Sequence, residues 1–308
     1  MTHPRPFRFG VQVPPAPTGR EWLEQAKKIE ALGYTSLSVA DHIGGRFGWA
    51  PALMAVATTT SLRVGTLVLD NDFRLPSLTI TDANTIDIIS DGRFELGIGA
   101  GWDPEDYTRS GIPFDRPGVR VERLVESLEI MKTAWRGEPV NFSGKYYNMV
   151  DFRLNLMPVQ KPHPPILIGA GGKRLLSVAA KMADIVGIAP PAGKDGGIDM
   201  DIGAATVQRQ VDHLRAEAGD RFDQIELQML NQALEVTDNP ASTIAEKAAA
   251  WNVSEEVIAD SPHVLFGTME SMIETLYERR ERYGFSYYVV RPPVMEQFAP
   301  IVAKLTGK

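Results

Sequence analysis

Asp41 and His42 stand together just after the apolar run 35–40. A histidine beside a carboxylate at a strand end can exchange a proton or steady an anionic ring near neutral pH. The alternative is a histidine that hydrogen-bonds a loop carbonyl, and the residues alone do not separate the two. Asp70 and Asp72 follow the run 62–69 and read either as pocket carboxylates or as solvated loop residues. Two acids so spaced also suit sugar chemistry, but no second acid partner is identifiable. The stretch 97–103 (GIGAGWD) is not the dinucleotide fingerprint, because Trp102 stands where the third glycine is needed. Gly97, Gly99, Ala100 and Gly101 would let a flat ring lie close to the backbone. Trp102 would stack on that ring or line the core. Asp103 before Pro104 suits a helix N-cap, as does Asp115 before Arg116–Pro117.

The run GAGGKR (169–174) follows one apolar segment and opens another. Glycines there let a phosphate approach the backbone, and free amides at a helix start bind anions. Lys173 and Arg174 add positive charge. A tight strand-to-helix turn would want the same glycines. Phosphate is preferred because barrels often place it on late loops. His3, His163, His213 and His263 are scattered and read as structural or solvated. No metal site is expected, since no histidine or carboxylate pair has ligand spacing inside a strand-end cluster. A G-x-S-x-G elbow and a Walker loop are both absent.

Eight strand-like runs position these residues. They are 7–13, 35–40, 62–69, 93–98, 166–169, 185–189, 225–230 and 286–291, and helical patterns lie between them. Examples are 21–32, with apolar residues at 22, 23, 26, 29 and 32, and 120–135, with Val121, Leu124, Val125, Leu128, Met131 and Trp135 on one face. A short helix is expected at 52–60, and further helices at 77–89, 175–182, 204–218, 240–250, 269–283 and 294–305. Strands alternating with helices pair in parallel through right-handed crossovers. Eight such units favour a (β/α)8 TIM barrel, read as one domain over 1–308, with insertions after strands 4 and 6. The insertions are 137–165, which has room for a hairpin, and 190–200, which reads as mobile; either could wall or cover a pocket. Active sites of such barrels sit at the strand C-termini, where the polar and glycine residues gather here, Ile188–Ala189 among those ends.

Charge and composition narrow the classes further. The chain has 32 Lys+Arg against 39 Asp+Glu, a net charge of −7, and no lysine/arginine block, so neither nucleic acid nor an anionic membrane is expected as a partner. No run approaches the roughly 20 apolar residues of a membrane span. There are no cysteines, which excludes disulfides, thiolate catalysis and iron–sulfur clusters. The start, MTHPRPFRFG, lacks the pattern of a secretory signal, and a cytoplasmic location is expected.

VADHI (39–43), RVGTLVL (63–69), SDGRFELGIGAGW (90–102), GIPFD (111–115), ILIGAGG (166–172) and ADIVGI (183–188) together resemble the bacterial-luciferase-like family, most closely an actinobacterial group that uses the deazaflavin coenzyme F420. The resemblance covers nearly the whole chain in order. It implies a barrel with a flavin-type ring at the strand C-termini. Asp41 and His42 would contact the ring. A strand-3 bulge at Leu67 and Val68, often with a non-proline cis bond, would back it. Ala170, Gly171 and Gly172 would hold the phosphate, with Ile188 and Ala189 flanking the same tail. Sugar-phosphate dehydrogenases of this superfamily carry a glutamate, proposed as proton donor, where Trp102 stands, and a small hydroxyl residue where Asp70 stands. The substrate pocket therefore differs from theirs.

Three functions remain open. The first is an F420-dependent oxidoreductase moving a hydride to or from a small organic substrate, with His42 giving proton or electrostatic support and Asp70 or Asp103 assisting. The second is an FMN-dependent monooxygenase on the same fold. The third is a non-catalytic F420- or flavin-binding protein. The long acidic tail of F420 favours a cationic groove, for which Lys173, Arg174, Lys194 and Arg291 are candidates. A homodimer is the expected assembly, as is common among relatives.

Overall fold

Strands covered on both faces read as continuous apolar runs rather than alternating ones, and all six residues of the last strand, FSYYVV, are buried. The computed structural model describes residues 5–14, 16–44, 55–56, 58–193, 197 and 199–308. In chain order its elements are β1 (Arg8–Val13), α1 (Gly19–Ala31), β2 (Ser36–Val39), β3 (Arg63–Thr66), β4 (Leu69–Asp70), α2 (Pro76–Ile89) and β5 (Phe94–Gly99). Next come α3 (Pro104–Ser110), α4 (Pro117–Trp135), β6 (Val140–Ser143), β7 (Asn148–Phe152), β8 (Ile166–Ala170), α5 (Lys173–Met182), β9 (Ile185–Ile188) and α6 (Ala204–Ala218). The chain finishes with β10 (Glu226–Leu230), β11 (Ala233–Val236), α7 (Pro240–Trp251), α8 (Glu255–Asp260), β12 (Val264–Gly267), α9 (Met269–Tyr283), β13 (Phe285–Val290) and α10 (Met295–Leu305).

The main sheet runs β3-β2-β1-β13-β10-β9-β8-β5-β4, and a further β3–β5 pairing brings the order back to its start. This is the closed parallel order of a (β/α)8 barrel, with β3 and β4 as two pieces of one strand. All eight expected strands are present. The expected helix at 52–60 and Lys194 of the 190–200 segment lie largely or wholly outside the described residues.

Contacts divide the chain into two units, Pro14–Lys27 with Ser38–Gly169, and Met1–Val13 with Lys28–Leu37 and Ala170–Lys308. In the first unit β5 pairs with β3 (Val64↔Phe94), with β4 (Leu69↔Ile98) and with β8 (Leu96↔Ile166). Between β3 and β4 the Leu67–Val68 bond is cis, at the position of the expected bulge. The Thr66 hydroxyl donates to the Gly97 carbonyl at 2.7 Å and accepts from its amide at 3.0 Å. It thus bridges the ladder where the backbone ladder is interrupted. The expected hairpin in 137–165 is β6–β7, antiparallel, which follows α4.

In the second unit β13 pairs with β1 and β10, and β10 also with β9. The Arg8 guanidinium binds both carboxylate oxygens of Glu226, at 2.8 and 2.6 Å, and lies 3.6 Å from the centre of the Tyr287 ring. A two-stranded parallel sheet, β11–β12, is an addition that short runs did not reveal. Ile202, Ala248, Ile258 and Val264 form a small apolar cluster, to which β12 contributes Val264.

Candidate active site

The first unit carries one set of functional residues. β2 runs out at Val39, and Asp41 and His42 follow it. They do not act as one pair. Asp41 is buried and accepts both guanidinium nitrogens of Arg74, one of them at 3.1 Å, together with the Asp70 amide at 3.2 Å. Its oxygens are engaged by these donors, so Asp41 ties the end of β2 to Asp70 of β4 and to Arg74 beyond it. The partner of His42 is Asp106, whose Oδ2 lies 2.5 Å from Nδ1, while Oδ1 accepts the Ile43 amide at 2.9 Å. Trp102 meets the His42 ring edge-on at 5.9 Å and is 43% exposed. It does not line the core.

Asp106 was not singled out in the sequence because its function is tertiary. It lies on α3, whose start is legible: Asp103 accepts the Glu105 amide at 2.9 Å and Pro104 opens the first turn, as expected of an N-cap. The next residue, Tyr107, is also buried. Its hydroxyl lies 3.2 Å from Asp70 Oδ1 and 3.0 Å from Asp72 Oδ2. Arg123 on α4 grips Asp72 through two nitrogens, at 2.9 and 2.7 Å, and Asp115 at 2.7 Å. Asp115 therefore serves Arg123 and does not cap α4, whose N-cap position is Arg116, with no side-chain bond. Burial pushes the Asp70 carboxyl up to about 7, with the neighbouring Asp72 charge adding to the rise and the Asp72 amide opposing it. Asp70 is thus a buried carboxyl that can hold a proton near neutrality, not a solvated loop residue.

His42, Asp103 and Asp106 bring three potential ligand atoms within 4.8 Å of one another, a cluster that spacing along the chain did not suggest. Asp103 already caps α3 and both Asp106 oxygens have donors, so hydrogen bonding accounts for the group.

The glycines of 97–101 are also needed by the fold itself. A Cβ on Gly99 would lie 3.0 Å from Val68 Cγ2, and one on Gly97 would lie 1.8 Å from the Thr66 carbonyl and 3.2 Å from Val68 Cγ1. Gly97 and Gly99 thus make room for Thr66 and for Val68 of the strand-3 bulge. Gly101, at φ +73°, leaves space for Tyr107 and Asp70, whose nearest oxygens would be 2.1 and 2.3 Å from its Cβ. The Ala100 carbonyl accepts from Arg120 Nε at 3.0 Å.

The second unit carries the other set. β8 ends at Ala170 and α5 begins after Gly172, which occupies the N-cap position with no side-chain bond. Gly172 has open space where a Cβ would stand, whereas a Cβ on Gly171 would come within 2.3 Å of the Pro190 carbonyl. Lys173 and Arg174 are exposed. The Ala189 amide donates to the Ala170 carbonyl at 3.0 Å, joining the ends of β8 and β9. Buried Gln210 on α6 donates to the carbonyls of Gly171 at 2.8 Å and Ala189 at 3.0 Å. With those carbonyls held, the turn is left to present amides. Arg291, expected in the cationic groove, contacts Gln232 at 3.3 Å. Of the other histidines, His3 lies outside the described residues, His163 stacks on Trp135, and His213 contacts the Lys173 carbonyl at 3.1 Å. His263 is wholly buried.

Among known proteins, an F420-dependent glucose-6-phosphate dehydrogenase of Amycolatopsis mediterranei (strain U-32) is 34% identical over 174 residues, covering 54% of this chain and 52% of that protein. A 5,10-methylenetetrahydromethanopterin reductase of Archaeoglobus fulgidus is 30% identical over 189 residues, covering 61% and 55%. The chain thus spans about half the length of the curated relatives it matches. In structure, a coenzyme F420 dependent tetrahydromethanopterin reductase of Methanopyrus kandleri superimposes with a TM-score of 0.77 at 18% identity, over 98% of this chain and 99% of that one. An F420-dependent secondary alcohol dehydrogenase solved with an F420–acetone adduct has the same score, identity and coverage. At this identity these two establish the barrel fold. Residues 5–251 match the luciferase-like monooxygenase family, and the chain belongs to it.

Proposed function

We propose that the protein is an F420-dependent oxidoreductase acting on a small organic substrate. Curated relatives from Amycolatopsis mediterranei and Microbacterium testaceum are F420-dependent glucose-6-phosphate dehydrogenases, and the chain's residues fit that cofactor. The carrying observation is the turn from β8 into α5. It combines an N-cap without a side-chain bond, open space at Gly172, and carbonyls fastened by Gln210. Such a turn suits the phosphate of a flavin-type cofactor. Ala170, Gly171, Gly172 and Lys173 would hold it, with Ile188 and Ala189 beside them. Val68, Leu67, Asp70 and Trp102 are the residues assigned to the ring and substrate, with His42 as the proton-handling group. When bound, F420 supplies a carbon that takes up or releases a hydride. The protein's part is to orient, and to hold or move a proton at His42 Nε2 and at the Asp70 carboxyl.

Titration with F420 and with FMN, followed by tryptophan fluorescence, tests this reading. Micromolar F420 binding with no FMN binding is the expected result. FMN binding without F420 binding would replace it with the monooxygenase reading. Saturation by F420 without turnover on a broad panel of alcohols, carbonyls and enones would leave a binding protein. A homodimer, proposed from the resemblance, is checked by light scattering.

A further inference from the structure

We infer that Asp106 is a positioning residue that locks His42 in its Nδ1–H tautomer, leaving Nε2 as a lone-pair acceptor. The inference deepens the reading of His42 above. An ionised carboxylate only accepts hydrogen bonds. Asp106 Oδ1 takes the Ile43 amide at 2.9 Å, and Oδ2 faces Nδ1 at 2.5 Å. The proton of that short contact therefore sits on Nδ1. In neutral imidazole the other nitrogen must then be the acceptor. Nε2 forms no hydrogen bond with a described residue.

The clamp is rigid at both ends. The Asp106 side chain is 6% exposed and that of His42 17%. Asp106 sits in the first turns of a helix whose preceding residue caps it, and its own amide bonds to the Asp103 carbonyl at 3.2 Å. Because Asp106 also holds the Ile43 amide, it fixes backbone and ring together. A carboxylate that holds a histidine in one tautomer and steadies its cation makes the free nitrogen an effective base. Here that nitrogen is suited to taking a proton from a substrate hydroxyl. Asp41, adjacent to His42 in sequence, has no share in this because Arg74 occupies it.

Long-range 1H–15N correlation spectra of the labelled protein test the assignment, with His42→Gln identifying the His42 signal. The expected spectrum shows Nδ1 protonated and Nε2 as acceptor at pH above the histidine titration. Asp106→Asn can keep the Ile43 bond through its carbonyl while its amide donates to Nδ1, so the tautomer is expected to reverse. Asp106→Glu is expected to restore the original pattern in part. A native spectrum with Nε2 protonated, or an unchanged tautomer in a folded Asp106→Asn protein, would overturn the inference. These readouts need no cofactor, so they stand apart from the F420 titration. Where F420 turnover is found, Asp106→Asn is expected to lower kcat by about 10²–10⁴-fold with KM nearly unchanged.

Discussion

The Tyr107 hydroxyl lies between two carboxylates, 3.2 Å from Asp70 and 3.0 Å from Asp72. A phenol has one proton to donate, so one of the two oxygens faces it without a hydrogen from it. A proton on Asp70 resolves the conflict, in keeping with the rise of that carboxyl to about 7.

This gives a pH dependence of definite sign. The folded state binds the Asp70 proton more tightly than the unfolded chain, whose carboxyl titrates near 3.8. The contribution of Asp70 to stability is full below about pH 4 and falls as pH rises to about 7, by a few kcal/mol at most. Asp70→Asn keeps acceptor geometry without the charge. Denaturant unfolding from pH 4 to 8 should show a shallower decline for Asp70→Asn than for the native protein.

His263 acts at the opposite end of the scale. Both its ring nitrogens are buried without a hydrogen-bond partner among the described residues. Burial, with the Arg279 charge in second place, lowers it from 6.5 to about 4. The unfolded chain takes up the proton first as pH falls. Stability should therefore drop between about pH 6.5 and 4, by roughly 3 kcal/mol. His263→Leu should remove that acid-side slope in thermal unfolding scans.

Gln210 links two carbonyls that no other described side chain bonds. Gln210→Leu leaves both without this donor and should cost about 1–3 kcal/mol of stability. If the turn holds the cofactor phosphate, F420 affinity measured by calorimetry should fall about tenfold as well.

Two neighbouring glycines separate fold from ligand space. Gly171→Ala drives a methyl toward the Ala189 and Pro190 carbonyls, at 2.8 and 2.3 Å, and should lower the melting temperature as well as F420 binding. Gly172→Ala meets nothing within 4 Å, and its backbone φ of −88° suits alanine. It should melt like the native protein, so any loss of F420 affinity reports on approach of the ligand itself.

Much of this was present in the order of residues. Eight apolar runs with helical patterns between them determined a parallel barrel, because each run must bury both faces and each crossover has one hand. Asp103–Pro104 announced α3, and the glycine run at 169–172 announced the turn into α5, since both are local chemistry. What sequence could not supply was partnership. Asp41 and His42 are adjacent yet serve Arg74 and Asp106, which stand 33 and 64 residues away. The glycines of 97–101 leave room for Val68 of the strand-3 bulge and for Tyr107 of α3, neighbours that spacing along the chain does not name. Periodicity reports which residues are buried; it carries no information on which long-range side chain will meet a buried carboxylate. That choice belongs to the packing of elements distant in the chain, and here it gave His42 its partner Asp106 and set Asp70 against Tyr107.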